Sequence, residues 1–135
     1  MTGLAQTADG SRILACSTDR FAAVYDPREA PSLSGPPLLS HPALPSSVST
    51  HPTDSNKAIT GAYDGVVRIW DLRSTKSAIT AFEVIGRSRE SRKSLQSADC
   101  KKKILSVDWG HEIIGVAGES GVEIWRINGQ GEAAR

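Results

Sequence analysis

Among the side chains able to do covalent or acid–base chemistry, the spacing argues against an active centre. The three histidines, His41, His51 and His111, stand ten and sixty positions apart. No G-x-S-x-G or phosphate-loop pattern occurs, and no carboxylate pair holds metal-ligand spacing. Cys16 and Cys100 lie 84 positions apart without a Cys-x-x-Cys motif or a neighbouring histidine, which reads as free thiols rather than a zinc site or a disulfide framework. We therefore expect no catalytic residues, no cofactor, no metal and no small-molecule substrate. The residues suited to binding are basic. From Gly86 to Lys103 the chain places Arg87, Arg89, Arg92, Lys93, Lys101, Lys102 and Lys103 against Glu90 and Asp99, a charge of +5 within a chain of +1. That density suits contacts to RNA phosphates, and the lack of aromatics in the run argues against base stacking. The same run also reads as a nuclear-import signal, as a basophilic-kinase site at Ser94, or as a solvated loop.

Such groups need a scaffold, and its signature is a repeat. Arg12 to Asp26, Lys57 to Asp71 and Glu112 to Arg126 each run from a short apolar stretch through a polar turn into an alternating stretch that ends in an aromatic residue. The aromatics are Tyr25, Trp70 and Trp125, spaced 45 and 55 apart, and an acid, Asp19, Asp64 or Glu119, stands six positions before each. Alternation and β-branched content predict strands, and the repeat as a whole predicts three β-hairpins. Asp64-Gly65 predicts a tight type I′ turn, with Gly supplying positive φ. Further strands are expected at Ser46 to Thr50, Ala78 to Val84 and Ile104 to Trp109, with Trp109 and Trp125 in the core. Residues Met1 to Gly10 do not read as a strand, and Pro27 to Pro52, which holds all seven prolines, reads largely as turn and linker. The longest apolar run, Phe21 to Tyr25, has five residues, far from the roughly 20 that cross a bilayer. With no basic and apolar leader at the start, an intracellular setting and no membrane partner are expected.

The stretch GAYDGVVRIWDLR, Gly61 to Arg73, resembles the middle hairpin of a WD-repeat propeller blade, with Trp70-Asp71 at the place of the name-giving dipeptide. The chain is therefore expected to be an all-β WD-repeat β-propeller fragment of about three blades, unable to close a propeller alone and marginally stable in isolation. The expected division is an N-terminal segment over 1–10, a partial blade over 11–40, a complete blade over 41–85, a basic inter-blade insertion over 86–103, an incomplete last blade over 104–127 and a tail over 128–135. By the resemblance, His41, Thr60, Asp64 and Trp70 would form a hydrogen-bonded blade tetrad. In the outer repeats Tyr25 replaces the Trp, Glu119 the turn Asp, and Arg126 the dipeptide Asp, while Asp26 and Asp71 keep it. WDLRSTK (Trp70 to Lys76) and ILSVDWG (Ile104 to Gly110) look like the fungal WD-repeat branch of the PeBoW ribosome-assembly complex. The resemblance implies a scaffold in large-subunit biogenesis and pre-rRNA processing, in the nucleolus and nucleoplasm, with Bop-type and Pescadillo-type factors as protein partners and pre-ribosomal RNA as a further contact. Two alternatives stay open: docking of Arg73, in the order W-D-x-R, on the adaptor of a cullin-RING ubiquitin ligase, and direct RNA contact through the basic insertion.

Overall fold

The computed structural model describes residues 2–28, 35–84, 103–119, 121–127 and 133–134. They form three four-stranded antiparallel sheets, each a meander in chain order. The first comprises β1 (Gly3–Gln6), β2 (Ile13–Cys16), β3 (Phe21–Tyr25) and β4 (Leu38–Ser40). The second comprises β5 (Pro45–Thr50), β6 (Lys57–Ala62), β7 (Val66–Asp71) and β8 (Thr80–Glu83). The third comprises β9 (Ile104–Trp109), β10 (Ile113–Gly118), β11 (Gly121–Ile127) and β12 (Ala133–Ala134). The second sheet lies between the other two, so its central strand β6 is buried on both faces from Ala58 to Ala62 rather than alternating. Leu14, Ala22, Val24 and Leu39 pack against Val48, Ala58 and Trp70 on one side. Ile59, Val67 and Ile69 pack against Ile104, Val107 and Ile114 on the other.

Several strands differ from the sequence reading. Gly3–Gln6 is a strand, paired with β2 from Gly3↔Cys16 to Gln6↔Ile13. A four-residue strand with small and polar members carries too little alternation to be legible, and its position is decided by the edge that β2 offers. Likewise β12, at Ala133–Ala134, pairs with β11, where the sequence indicates no fourth strand. The proline- and serine-rich stretch supplies β4, which was not expected, beside β5, which was, and Pro45 opens β5, where the ladder needs no N–H from it. Cys16 is buried and free, and burial pushes its thiol up to about 12. Cys100 lies outside the described residues.

The turn at Asp64-Gly65 is also corrected. Gly65 has φ +77° while Asp64 does not lie at positive φ, and the Gly65 N–H donates to the Ala62 carbonyl at 3.2 Å. That is a three-residue loop, a turn over Tyr63-Asp64 closed by one left-handed glycine, rather than type I′, which needs two positive φ values. In the first sheet the equivalent place is taken by Arg20, at φ +71°. A side chain there costs roughly 1–2 kcal/mol, partly offset by glycine's larger entropy loss on folding. Arg20→Gly is expected to raise stability by roughly 0.5–1 kcal/mol. A denaturant midpoint unchanged or lowered would contradict this.

Candidate functional site

The residues singled out by the resemblance converge inside the second sheet. Trp70, next to last in β7, lies opposite Ala58, and Thr60 lies two residues further along β6, so indole and hydroxyl share a face. The Trp70 Nε1–H donates to Thr60 Oγ1 at 2.9 Å. Thr60 Oγ1 lies 2.7 Å from His41 Nε2, and His41 Nδ1 lies 2.9 Å from the Leu39 carbonyl. A carbonyl only accepts, so Nδ1 carries the proton and Nε2 receives the Thr60 hydroxyl. The resulting chain, Trp70 to Thr60 to His41 to Leu39, leaves no buried donor unmet along its length. His41 and Trp70 rings also touch, with centroids 5.3 Å apart.

Asp64 stands apart from this chain. Its carboxylate accepts from the Val66 N–H at 3.1 Å and pairs with Arg68 at 2.8 Å, so it caps the turn. Asp19 does the same in the first sheet, accepting from the Phe21 N–H at 3.2 Å. Burial holds the His41 pKa below its ordinary value. Because the folded-state pKa is lowered, the stability tied to neutral His41 is present above the unfolded value of about 6.5 and is lost as pH falls below it. Protonated Nε2 could no longer accept from Thr60. His51 acts in the same sense, since its Nδ1 accepts from the Asp54 N–H at 2.9 Å and burial lowers its pKa as well. Thermal midpoints measured at pH 7.5 and 5.5 are expected to show a loss at the lower value, and an unchanged midpoint would refute the tautomer assignment.

Register relates the outer sheets to this centre. The pairs Ile13↔Tyr25, Ala58↔Trp70 and Ile114↔Trp125 are equivalent, and they place Ala15 and Val116 where the second sheet has Thr60. The third hairpin is one residue shorter between these marks than the second, so the residue six before Trp125 is not the counterpart of Asp64. Glu119 instead accepts from the Lys103 N–H at 3.0 Å. With Val116 unable to accept, the Trp125 Nε1–H donates to Glu123 at 3.1 Å. Glu123 sits across from Val116 and is buried. The acceptor thus lies on the tryptophan's own strand, β11, instead of on the neighbouring one. Tyr25, with neither arrangement, is exposed on the first sheet.

A second set of polar contacts joins the inner strands, and the sequence reading missed it. Ser47 and Ser49 accept from the Val107 and Trp109 N–H groups at 3.1 and 3.2 Å. Thr50 donates to the Gln6 carbonyl at 2.6 Å, Thr2 to the Pro45 carbonyl at 2.8 Å, and Ser46 to the Ile104 carbonyl. These hydroxyls satisfy backbone groups of β1 and β9 that the ladders leave free. The available signal was the run Ser46-Ser47-Val48-Ser49-Thr50, in which hydroxyls flank one apolar residue inside a strand.

At the sheet ends Asp71 and Asp26 each hold an arginine two residues on. Arg73 pairs with Asp71 through Nη2 at 2.8 Å and Nε at 3.0 Å, and that pairing brings the Asp71 carboxyl down to about 2. Arg28 pairs with Asp26 at 3.2 Å. Arg126 lies exposed on β11. Lys103 is exposed, with its ammonium 4.9 Å from the Tyr63 ring. Arg87, Arg89, Arg92, Lys93, Lys101 and Lys102 lie outside the described residues. Among the described residues no group of three or more His, Cys, Asp or Glu could hold a metal.

Comparison with known proteins agrees with this geometry. The family WD domain, G-beta repeat matches residues 38–71, the stretch that contributes the whole Leu39 to Trp70 chain. Ribosome biogenesis protein YTM1 of Laccaria bicolor is 44% identical over 92% of this chain and 25% of its own length. The protein of that name in Coprinopsis cinerea is 41% identical over 96% of this chain and 26% of its own. Ribosome biogenesis protein YTM1 of Saccharomyces cerevisiae is 32% identical over 75% of this chain and 21% of its own length. The chain thus spans about a quarter of the length of the curated relatives it matches. Three meander sheets repeating one aromatic-ended hairpin, with a family match on the best-formed of them, show that the chain belongs to the WD-repeat family, in the neighbourhood of the fungal ribosome biogenesis proteins.

Proposed function

We propose that this chain is a non-catalytic protein-interaction scaffold in ribosome biogenesis. The observation that carries the reading is the similarity to proteins named for ribosome biogenesis at 44% and 41% identity over nearly the whole chain. The chemistry is compatible with it: among the described residues, His41, Thr60 and Glu123 are buried polar groups that hold the blades' tryptophans and sheets in place. Bop-type and Pescadillo-type assembly factors are the partners we propose, with the nucleolus and nucleoplasm as the setting. The basic run from Gly86 to Lys103 would add sequence-independent contacts to pre-ribosomal RNA through its phosphates.

Affinity purification of the tagged chain tests the reading. Recovery of Bop-type and Pescadillo-type proteins is expected, and their absence beside cullin-ligase subunits would overturn it in favour of docking through Arg73. For the RNA contact, neutralising Lys101, Lys102 and Lys103 is expected to weaken binding and flatten its dependence on salt. Equal binding by both proteins across a salt titration would refute that contact.

A further inference from the structure

The basic run contains no aromatic residue, and the fold supplies one at its end. Thr2 and Thr50 join β1 to β5, and Ser47 and Ser49 join β5 to β9, so the three inner strands run side by side in one sense. The turns that follow β2, β6 and β10 therefore lie along one edge of the stack. At the middle turn Tyr63 is 37% exposed, and its N–H donates to the Leu44 carbonyl at 2.9 Å. The Lys103 ammonium lies 4.9 Å from the centre of the Tyr63 ring. The second sheet already has a neighbour on each face, so this exposure comes from the turn's place on the edge and does not depend on what lies beyond the first or third sheet.

Both ends of the basic run reach the same edge. The Val84 N–H donates to the Gly65 carbonyl at 2.9 Å, and the Lys103 N–H donates to the Glu119 carboxylate at 3.0 Å. The charge of +5 that the sequence carries from Gly86 to Lys103 is thus tethered beside Tyr63. Of the acids along the edge, Asp64 is neutralised by Arg68 at 2.8 Å, and Asp19 and Glu119 bond backbone N–H groups. The neighbouring turn exposes Arg20, held at φ +71° where the second sheet has Gly65. Its carbonyl accepts from the His41 N–H at 3.0 Å, a bond that glycine would make equally well. Among the described residues its guanidinium pairs with no acid. A side chain kept at so unfavourable a backbone angle, and given no work inside the fold, points to a use outside it.

We propose that Tyr63, Lys103 and Arg20 form a binding site for single-stranded RNA, in which a base stacks on the Tyr63 ring and the two cations take neighbouring phosphates. The site rests on the RNA contact proposed for the basic run and extends it: the run supplies attraction, and the edge supplies the stacking surface that the run lacks. An acidic peptide would satisfy the cations but has no planar base for the ring.

The test is fluorescence anisotropy of a labelled oligouridine of about ten nucleotides, within the span of one single-strand-binding domain, titrated with the full 135-residue chain. Tyr63→Ala is expected to weaken binding about fivefold or more with the salt dependence unchanged, and Tyr63→Phe to bind like the native chain. Lys103→Gln and Arg20→Gly are each expected to lower the slope of log K against log salt by about 0.7, the value for one phosphate on a single strand. Because Arg20→Gly is also expected to stabilise the fold, weaker binding by that variant cannot come from unfolding. No binding by the native chain would overturn the site together with the RNA contact it rests on, and affinity purification would still test the scaffold reading by itself. Native affinity in both Tyr63→Ala and Arg20→Gly, with binding lost when Lys101 and Lys102 are neutralised, would overturn the site and leave the basic run as the whole contact. Equal affinity for a polyglutamate of the same charge, which has no base to stack, would overturn it in favour of an acidic protein segment.

Discussion

Thr60→Val is expected to cost about 2–5 kcal/mol, a large part of the stability of a domain this size. Valine keeps the branched shape that β6 accommodates, so the loss isolates the hydroxyl. That hydroxyl serves two partners at once, receiving the Trp70 indole N–H at 2.9 Å and donating to His41 Nε2 at 2.7 Å. All three side chains are buried, and no water can reach them to compensate. Each group left unmet costs roughly 1–3 kcal/mol. Denaturant unfolding of native and variant proteins measures the difference, and a loss below about 0.5 kcal/mol, the scatter of ordinary surface substitutions, would show that the chain contributes nothing. Combining Thr60→Val with Trp70→Phe is expected to recover part of the loss, because removing both partners leaves fewer unmet groups than removing one. The third sheet offers a natural comparison: Val116 stands in the place of Thr60, and Glu123 takes the indole N–H of Trp125.

Gly118→Ala is expected to cost about 2–4 kcal/mol, through overpacking against atoms that cannot move aside. A Cβ at Gly118 would be driven into the Lys103 carbonyl oxygen and lie 3.1 Å from the Ile104 Cα. These are backbone atoms of the neighbouring strand, at the point where the register between β10 and β9 shifts. No rotamer change relieves the contact, so β9 must move, and with it Ile104, which is buried between the second and third sheets. Gly61→Ala makes a useful contrast. Its Cβ would meet Ile104 Cγ2 at 2.5 Å and Val107 Cγ1 at 2.8 Å, methyls branching at the Cβ of two buried residues with little rotamer freedom; because these are side-chain rather than backbone atoms, a somewhat smaller cost of about 1–3 kcal/mol is expected. Unfolding measurements that ranked Gly61→Ala above Gly118→Ala would refute this reading of the two close approaches.

Much of the architecture was legible in the residues. Strong alternation ending in an aromatic marked β7 and β11, β-branched content marked β9, and the turn residues between them marked the hairpins. The strands that were not legible share a cause. β1 and β12 are short, contain small residues, and owe their existence to an open ladder edge rather than to their own pattern. β4, three residues within the proline- and serine-rich stretch, was not legible for the same reason, whereas β5 was expected almost in full at Ser46 to Thr50.

The candidate site divides along the same line. The family resemblance named His41, Thr60, Asp64 and Trp70 as one hydrogen-bonded set, and the structure joins His41, Thr60 and Trp70 while Asp64 pairs with Arg68. Composition also placed the basic charge and argued against metal and nucleophile chemistry. Register was decided in three dimensions. With Val116 in the place of Thr60 the Trp125 indole meets Glu123, and a hairpin one residue shorter takes Glu119 out of the place of Asp64, while the pairing of Asp64 with Arg68 depended on which face β7 presents. Sequence spacing counts along the chain, whereas a hydrogen bond depends on position across it, and a single residue in a turn separates the two. The sequence by itself determined a repeated β-hairpin with an aromatic at its end. Only the tertiary structure decided the register between strands, and therefore which acceptor each of Trp70 and Trp125 meets.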